Sequence, residues 1–140
     1  MRSLRYLPIV CLLLLCGCGG GRGLVPVSGT VRYNGKPLPN VYVSFSPDDP
    51  GIRAATGTAD GTGRYQLTTF QANDGVRPGK YRVAVRYESE PEGPRLAADD
   101  INYKRGKLIT PLKYTDPEKS GLTAEVVAGK DNVFDFDLTD

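Results

Sequence analysis

The residues able to do chemistry are few. The chain has 140 residues, no histidine, three cysteines and one methionine. Without an imidazole, the usual general base near neutral pH and the commonest metal ligand are both missing. Nucleophilic catalysis needs a Ser or Cys beside a base. Ser44, Ser46 and Ser120 could each meet a lysine, but no spacing singles one out, so no enzymatic activity is expected. Asp48, Asp49 and Asp60 are the candidate metal ligands, because Ca2+ takes carboxylate and carbonyl oxygens from acidic loops. Asp48-Asp49-Pro50-Gly51 and Asp60-Gly61 are equally ordinary turn sequences, and solvated turns without metal or other cofactor are expected. Arg82 with Arg86, and Asp135 with Asp137, suit either a charged ligand-binding face or cross-strand pairs on a wet sheet. Tyr42, Tyr103 and Tyr114 are the aromatic candidates for stacking on a sugar in a chain that lacks tryptophan. Single exposed tyrosines, however, need no ligand to explain them.

The cysteines belong to the leader. Arg2 and Arg5 precede an apolar run from Leu7 to Leu15, broken only by Pro8. A positive start and an apolar stretch of ~7–15 residues are the pattern of a secretory signal, whereas a spanning helix needs ~20 residues. The end of the run, Leu15-Cys16-Gly17-Cys18, resembles a bacterial lipobox. That resemblance implies cleavage between Gly17 and Cys18 and attachment of diacylglycerol to the Cys18 sulfur through a thioether. Cys11 and Cys16 would leave with the leader and Cys18 would carry lipid, so no thiol remains for a disulfide, a metal or catalysis. Two or more acyl chains, at ~0.8 kcal/mol per buried CH2, hold a protein stably on a bilayer. In some envelopes the lipoproteins that this segment resembles are retained at the inner membrane by an Asp after the lipidated cysteine. Gly19 stands there, and an outer-membrane place in the cell envelope is expected.

The expected organisation is a signal peptide at 1–17, a lipidated Cys and Gly-rich tether at 18–24, and one domain at 25–140 with a long loop at 88–110. Loss of Arg2 and Arg5 from eighteen basic residues leaves sixteen against sixteen acidic ones. A neutral domain has no electrostatic argument for nucleic acid. Six residues from Cys18 to Gly23 reach at most ~20 Å, which keeps the domain close to its bilayer.

The domain alternates in the manner of strands. Val25, Val27 and Val31 share one parity, and Asn34-Gly35 is the strongest two-residue hairpin signal. Val41, Val43 and Phe45 alternate with Tyr42 and Ser44; Tyr65 and Leu67 point inward after the Asp60–Gly63 turn. Tyr81, Val83, Val85 and Tyr87 face opposite to Arg82, Ala84 and Arg86. Glu88 to Gly106 is polar with no sustained period, with one helical turn expected around Leu96 to Ile101. Leu122, Ala124 and Val126, then Phe134, Phe136 and Leu138, complete the pattern. About seven short strands at close spacing predict an all-β, antiparallel sandwich. Its inner faces would be Val27, Val31, Val43, Phe45, Leu67, Val83, Val85, Val126, Phe134 and Phe136.

Val27-Ser28-Gly29-Thr30-Val31, Asn34-Gly35-Lys36-Pro37-Leu38, Thr58-Ala59-Asp60-Gly61-Thr62-Gly63-Arg64-Tyr65 and Pro78-Gly79-Lys80-Tyr81-Arg82-Val83 together resemble a carboxypeptidase regulatory-like (transthyretin-like) domain. The resemblance implies a seven-stranded Ig-like, prealbumin-like sandwich of the kind carried by small bacterial lipoproteins. It implies a structural or protein-interaction module rather than an enzyme. The expected partners are the bilayer, through acylated Cys18, and an envelope protein, with a glycan as the alternative; the candidate binding residues are Tyr42, Arg82, Arg86 and Tyr103.

Overall fold

The computed structural model describes residues 22–90 and 106–140. Gly17, Cys18, Tyr103 and the turn expected at Leu96–Ile101 lie outside these residues. The described chain is all-β apart from one 3-10 turn at Leu112–Thr115, and its strands form two sheets. None of its helices is long and apolar enough to cross a membrane.

β3 (Tyr42–Pro47), β4 (Ala55–Thr58), β6 (Gly79–Arg86) and β7 (Leu122–Val126) form an antiparallel sheet in the order β4-β3-β6-β7. The other sheet is built around β1 (Val27–Tyr33), with β2 (Lys36–Pro37) and β5 (Arg64–Gln66) antiparallel to it. β8 (Asn132–Val133) and β9 (Phe136–Leu138) run parallel to β1. Two expectations are corrected here: the described residues contain nine strands rather than seven, and one sheet is mixed rather than antiparallel. The cause is the last crossover. β7 ends at Val126 opposite Gly79, and the chain turns there and returns beside β1 in the direction β1 itself runs. Alternation reports which face a residue takes and is blind to strand direction.

The break between β8 and β9 has a local reason. The Phe134 carbonyl accepts the Tyr65 hydroxyl at 2.7 Å, and the Asp135 carboxylate accepts the Thr30 amide at 2.7 Å in place of a ladder carbonyl. A Cβ on Gly29 would sit 1.8 Å from the Phe134 oxygen, so only glycine admits this approach.

Nine of the ten expected inner residues are buried, and Phe134 is half-buried against them. Phe45 centres the core, with ring centroids of Tyr65, Tyr81, Phe134 and Phe136 at 6.4, 5.8, 6.0 and 6.2 Å. Each buried Val, Leu or Phe contributes ~1.5–3 kcal/mol, and offset or tilted rings add to that. Asn34 and Gly35 both have positive φ (49° and 79°), as a type I′ hairpin between β1 and β2 requires. The two sheets are joined along one side, where Thr56 and Thr68 exchange backbone hydrogen bonds of 3.0 and 2.8 Å.

Register defines two ends. Val25, Pro47, Leu67, Gly79, Val126 and Asn132 lie at one, where the chain leaves the tether. Tyr33, Tyr42, Thr58, Arg86 and Leu138 lie at the other. β6 connects them, and its eight residues span about 23 Å at ~3.3 Å each. The long connection therefore leaves from the end opposite the tether. Its stems are regular: Ser89 donates to Lys107 at 2.8 Å and Ile109 to Tyr87 at 2.9 Å, which extends β6 beyond Arg86.

Candidate functional site

Tyr42, Arg82 and Arg86 share the outward face of the four-stranded sheet. Tyr42 stands directly opposite Arg86 on β6 and opposite Thr58 on β4, and Arg82 stands opposite Ser46. Tyr42 is 46% exposed. The two arginines are not free to meet an anion. The Arg82 Nε donates to Asp48 at 2.9 Å and its Nη1 to Glu118, while Arg86 donates to Glu88 through Nε at 2.9 Å. Asp135 and Asp137 belong to the other sheet, where Asp137 lies 3.7 Å from Arg32. Asp135 instead accepts the Thr30 amide. The four charges are thus engaged separately, Arg82, Arg86 and Asp137 in solvent-screened ion pairs and Asp135 with backbone, rather than forming one face.

The acidic turns are held by their own backbone. Asp48 serves Arg82, and the Asp49 carboxylate accepts the Gly51 amide at 2.8 Å. One Asp60 oxygen takes the Thr62 hydroxyl and amide at 2.6 and 2.8 Å and the Arg64 amide at 3.2 Å. The Thr62 hydroxyl, followed by these amides, holds the Asp60 carboxyl below the usual aspartate range. Among the described residues no three Asp, Glu, Cys or His side chains converge as metal ligands do.

Beside Tyr42 runs a polar cleft of about 430 Å3 lined by Thr58, Asp60, Arg64, Gln66, Thr68 and Asn73. It offers hydroxyl, amide and charged groups and no ring. Tyr114 is buried rather than available for stacking, and its hydroxyl accepts the Thr139 amide at 3.2 Å.

At the tether end stands a cluster that alternation does not announce. Asp74 accepts the amides of Thr69, Gln71 and Phe70 at 2.7, 2.8 and 3.0 Å, which shapes the loop after Leu67. Desolvation pushes the Asp74 carboxyl up, but the three amides outweigh it and its pKa is lowered. The loop presents Phe70, 45% exposed, with the guanidinium of Arg22 4.7 Å and that of Arg53 5.3 Å from the ring centroid. A lone Phe among polar residues just before Asn73-Asp74-Gly75 is the signal that marks this tip in the sequence. The arginines come from distant segments, and only folding brings them together.

No family model, curated protein or solved structure matches this chain, so its chemistry rests on these residues alone.

Proposed function

We propose that the protein is a lipid-anchored cell-envelope module with a transthyretin-like sandwich, held to the outer membrane through acylated Cys18. It acts by protein contact, without catalysis, through the end of the sandwich that points away from the bilayer. The supporting observation is the opposition of the two ends across β6: the tether enters beside Val25, and the connection bounded by Glu88 and Leu108 leaves from the far end. Tyr42, Ile109 and Leu112 are exposed there, at 46, 37 and 75%. Apolar side chains rimmed by ion pairs are a common composition for a contact surface. β7 has no strand partner beyond β6 among the described residues, and an open edge of this kind accepts an added strand.

Two variants test this. Cys18→Ala should move the protein from the membrane to the soluble fraction; persistence in the membrane would mean an uncleaved leader. Replacement of residues 91–105 by a short Gly-Ser linker should remove partners from pull-downs of envelope extract. An unchanged partner profile would refute the role of the connection.

Glycan binding is the second reading, favoured by the cleft at Thr58 with Tyr42 beside it. Retardation of the protein in polysaccharide gels, abolished by Tyr42→Ala, would favour it over protein contact.

A further inference from the structure

Among the described residues three arginines have carboxylate partners: Arg32 with Asp137, Arg82 with Asp48 and Glu118, and Arg86 with Glu88. Arg22 and Arg53 form no ion pair among the described residues and face the Phe70 ring instead. The nearby acids are engaged elsewhere, Asp74 with three loop amides and Asp49 with the Gly51 amide. The result is an exposed aromatic ring between two guanidiniums whose N–H groups remain available, on a domain with no net charge once the leader is removed.

Position supplies the occupant. Arg22 lies four residues after Cys18, so its Cα is at most ~14 Å from the Cys18 Cα. Three residues later Val25 is fastened to Val76 by hydrogen bonds of 2.8 and 3.0 Å, which fixes this end of the sandwich to the same short leash. Val127, 37% exposed, follows the last residue of β7 at this end.

We infer that Phe70, Arg22 and Arg53 form a bilayer-contact site. The ring lies at headgroup level, and the guanidiniums hydrogen-bond to phospholipid phosphodiesters, which the fork of Arg matches in two-point fashion. This inference rests on the acylation of Cys18 proposed above, and it adds orientation: the contact stops the domain from tumbling on its tether and directs the Tyr42 end away from the membrane.

The test uses the full chain extracted from its membrane. The sequence has no tryptophan, so Phe70→Trp places a single indole at the tether end and Leu112→Trp a single indole at the far end. Each variant is reconstituted into protein-free phosphatidylcholine–phosphatidylglycerol vesicles carrying lipid brominated near the headgroup, and its N-terminal peptide is weighed in parallel. With Cys18 acylated, the indole at 70 should emit at shorter wavelength and be quenched several-fold more than the indole at 112. Arg22→Gln with Arg53→Gln, in the Phe70→Trp chain, should diminish that difference. Acylated Cys18 with equal quenching at both positions overturns the contact site and leaves the anchor standing. Unacylated Cys18 without quenching overturns both. A blue shift in native envelope membranes that is missing from the vesicles assigns the ring to a protein partner, which also overturns the proposal.

Discussion

At the tether end three loops are each closed by a side chain bonded to backbone: Asp49 in the β3–β4 loop, Asp74 after β5, and Asn132 in the β7–β8 turn. Asn132 accepts the Val127 amide at 2.9 Å and donates to the Val127 and Lys130 carbonyls at 3.0 Å. At the far end the β4–β5 turn is held in the same way by Asp60, but residues 87–121 intervene between β6 and β7. Among its described residues that stretch is fastened by the Tyr87–Ile109 and Ser89–Lys107 bonds, by buried Tyr114, and by the Ser120 hydroxyl donating to the Val83 carbonyl at 2.5 Å, among other contacts. Side-chain bonds to backbone fix a short loop with little ordering cost, whereas a long connection leaves many residues to order. The contrast is between an end set by three side-chain-bonded loops and an end from which one long connection leaves. A scaffold fastened at one end and presenting variable surface at the other is how binding segments are commonly carried.

The largest effect should come from one methyl group at the set end. Gly75 has φ +87°, and a Cβ there would lie 2.1 Å from the Val25 carbonyl oxygen. Gly75→Ala should cost about 3 kcal/mol, read as a lower denaturant midpoint for the whole domain, because it forces apart the Val25–Val76 pair. Gly106→Ala meets the Ser89 oxygen at 1.7 Å, a tighter clash, but at the stem of the long connection. There the chain should yield locally, with a midpoint shift of less than about 1 kcal/mol and faster amide exchange at Ser89 and Ile109. Equal losses from the two substitutions would erase the distinction between the ends.

Tyr65→Phe probes the joint between them. Its hydroxyl donates to the Phe134 carbonyl at 2.7 Å inside the core, where burial also raises the phenol pKa. Its removal should cost about 1 kcal/mol and raise amide exchange along β8 and β9 while leaving the Asp74 loop protected.

Acid should act more weakly and at both ends. The carboxyls of Asp60, Asp74, Asp116 and Asp140 all titrate below the ordinary aspartate value. The principal lowering influences are the Thr62 hydroxyl for Asp60, the loop amides for Asp74 against desolvation, the Glu118 amide for Asp116 and the Tyr33 hydroxyl for Asp140. A folded-state pKa below the unfolded one stabilises above about pH 4 and is lost as pH falls through the lowered values. Exchange at Thr69, Phe70 and Gln71 should therefore rise below about pH 4, before the β3 and β6 amides open. Unchanged protection there would mean that Asp74 does not hold the loop.

The smallest effect belongs to the charged face. Arg82→Ala removes two exposed ion pairs and should shift the midpoint by less than about 1 kcal/mol. A larger loss would show that Asp48 and Glu118 are bound more tightly than their exposure implies.

The outward parity of Tyr42, Arg82 and Arg86, and the inward parity of Val83, Val85, Tyr65 and Leu67, were legible because a strand's period of two separates its faces. So was the hairpin at Asn34-Gly35, where both residues must take positive φ. What was hidden depended on partners far along the chain. Arg82 meets Glu118 across 36 residues, Tyr65 reaches Phe134 across 69, and Arg22 and Arg53 converge on one ring. Tyr114 sits in a single 3-10 turn with no strand-like period around it, so its burial had no local signature. Phe134 was assigned to the inner face by alternation, yet the break that frees its carbonyl for Tyr65 leaves it half-buried.

The difference between the ends has functional meaning only if one of them is fastened to lipid, and the mass of the N-terminal peptide from membrane-extracted protein tests that most directly. The account predicts a chain beginning at Cys18 with a diacylglyceryl group on its sulfur. A peptide that retains residues 1–17, with the Cys18 thiol free, would contradict it.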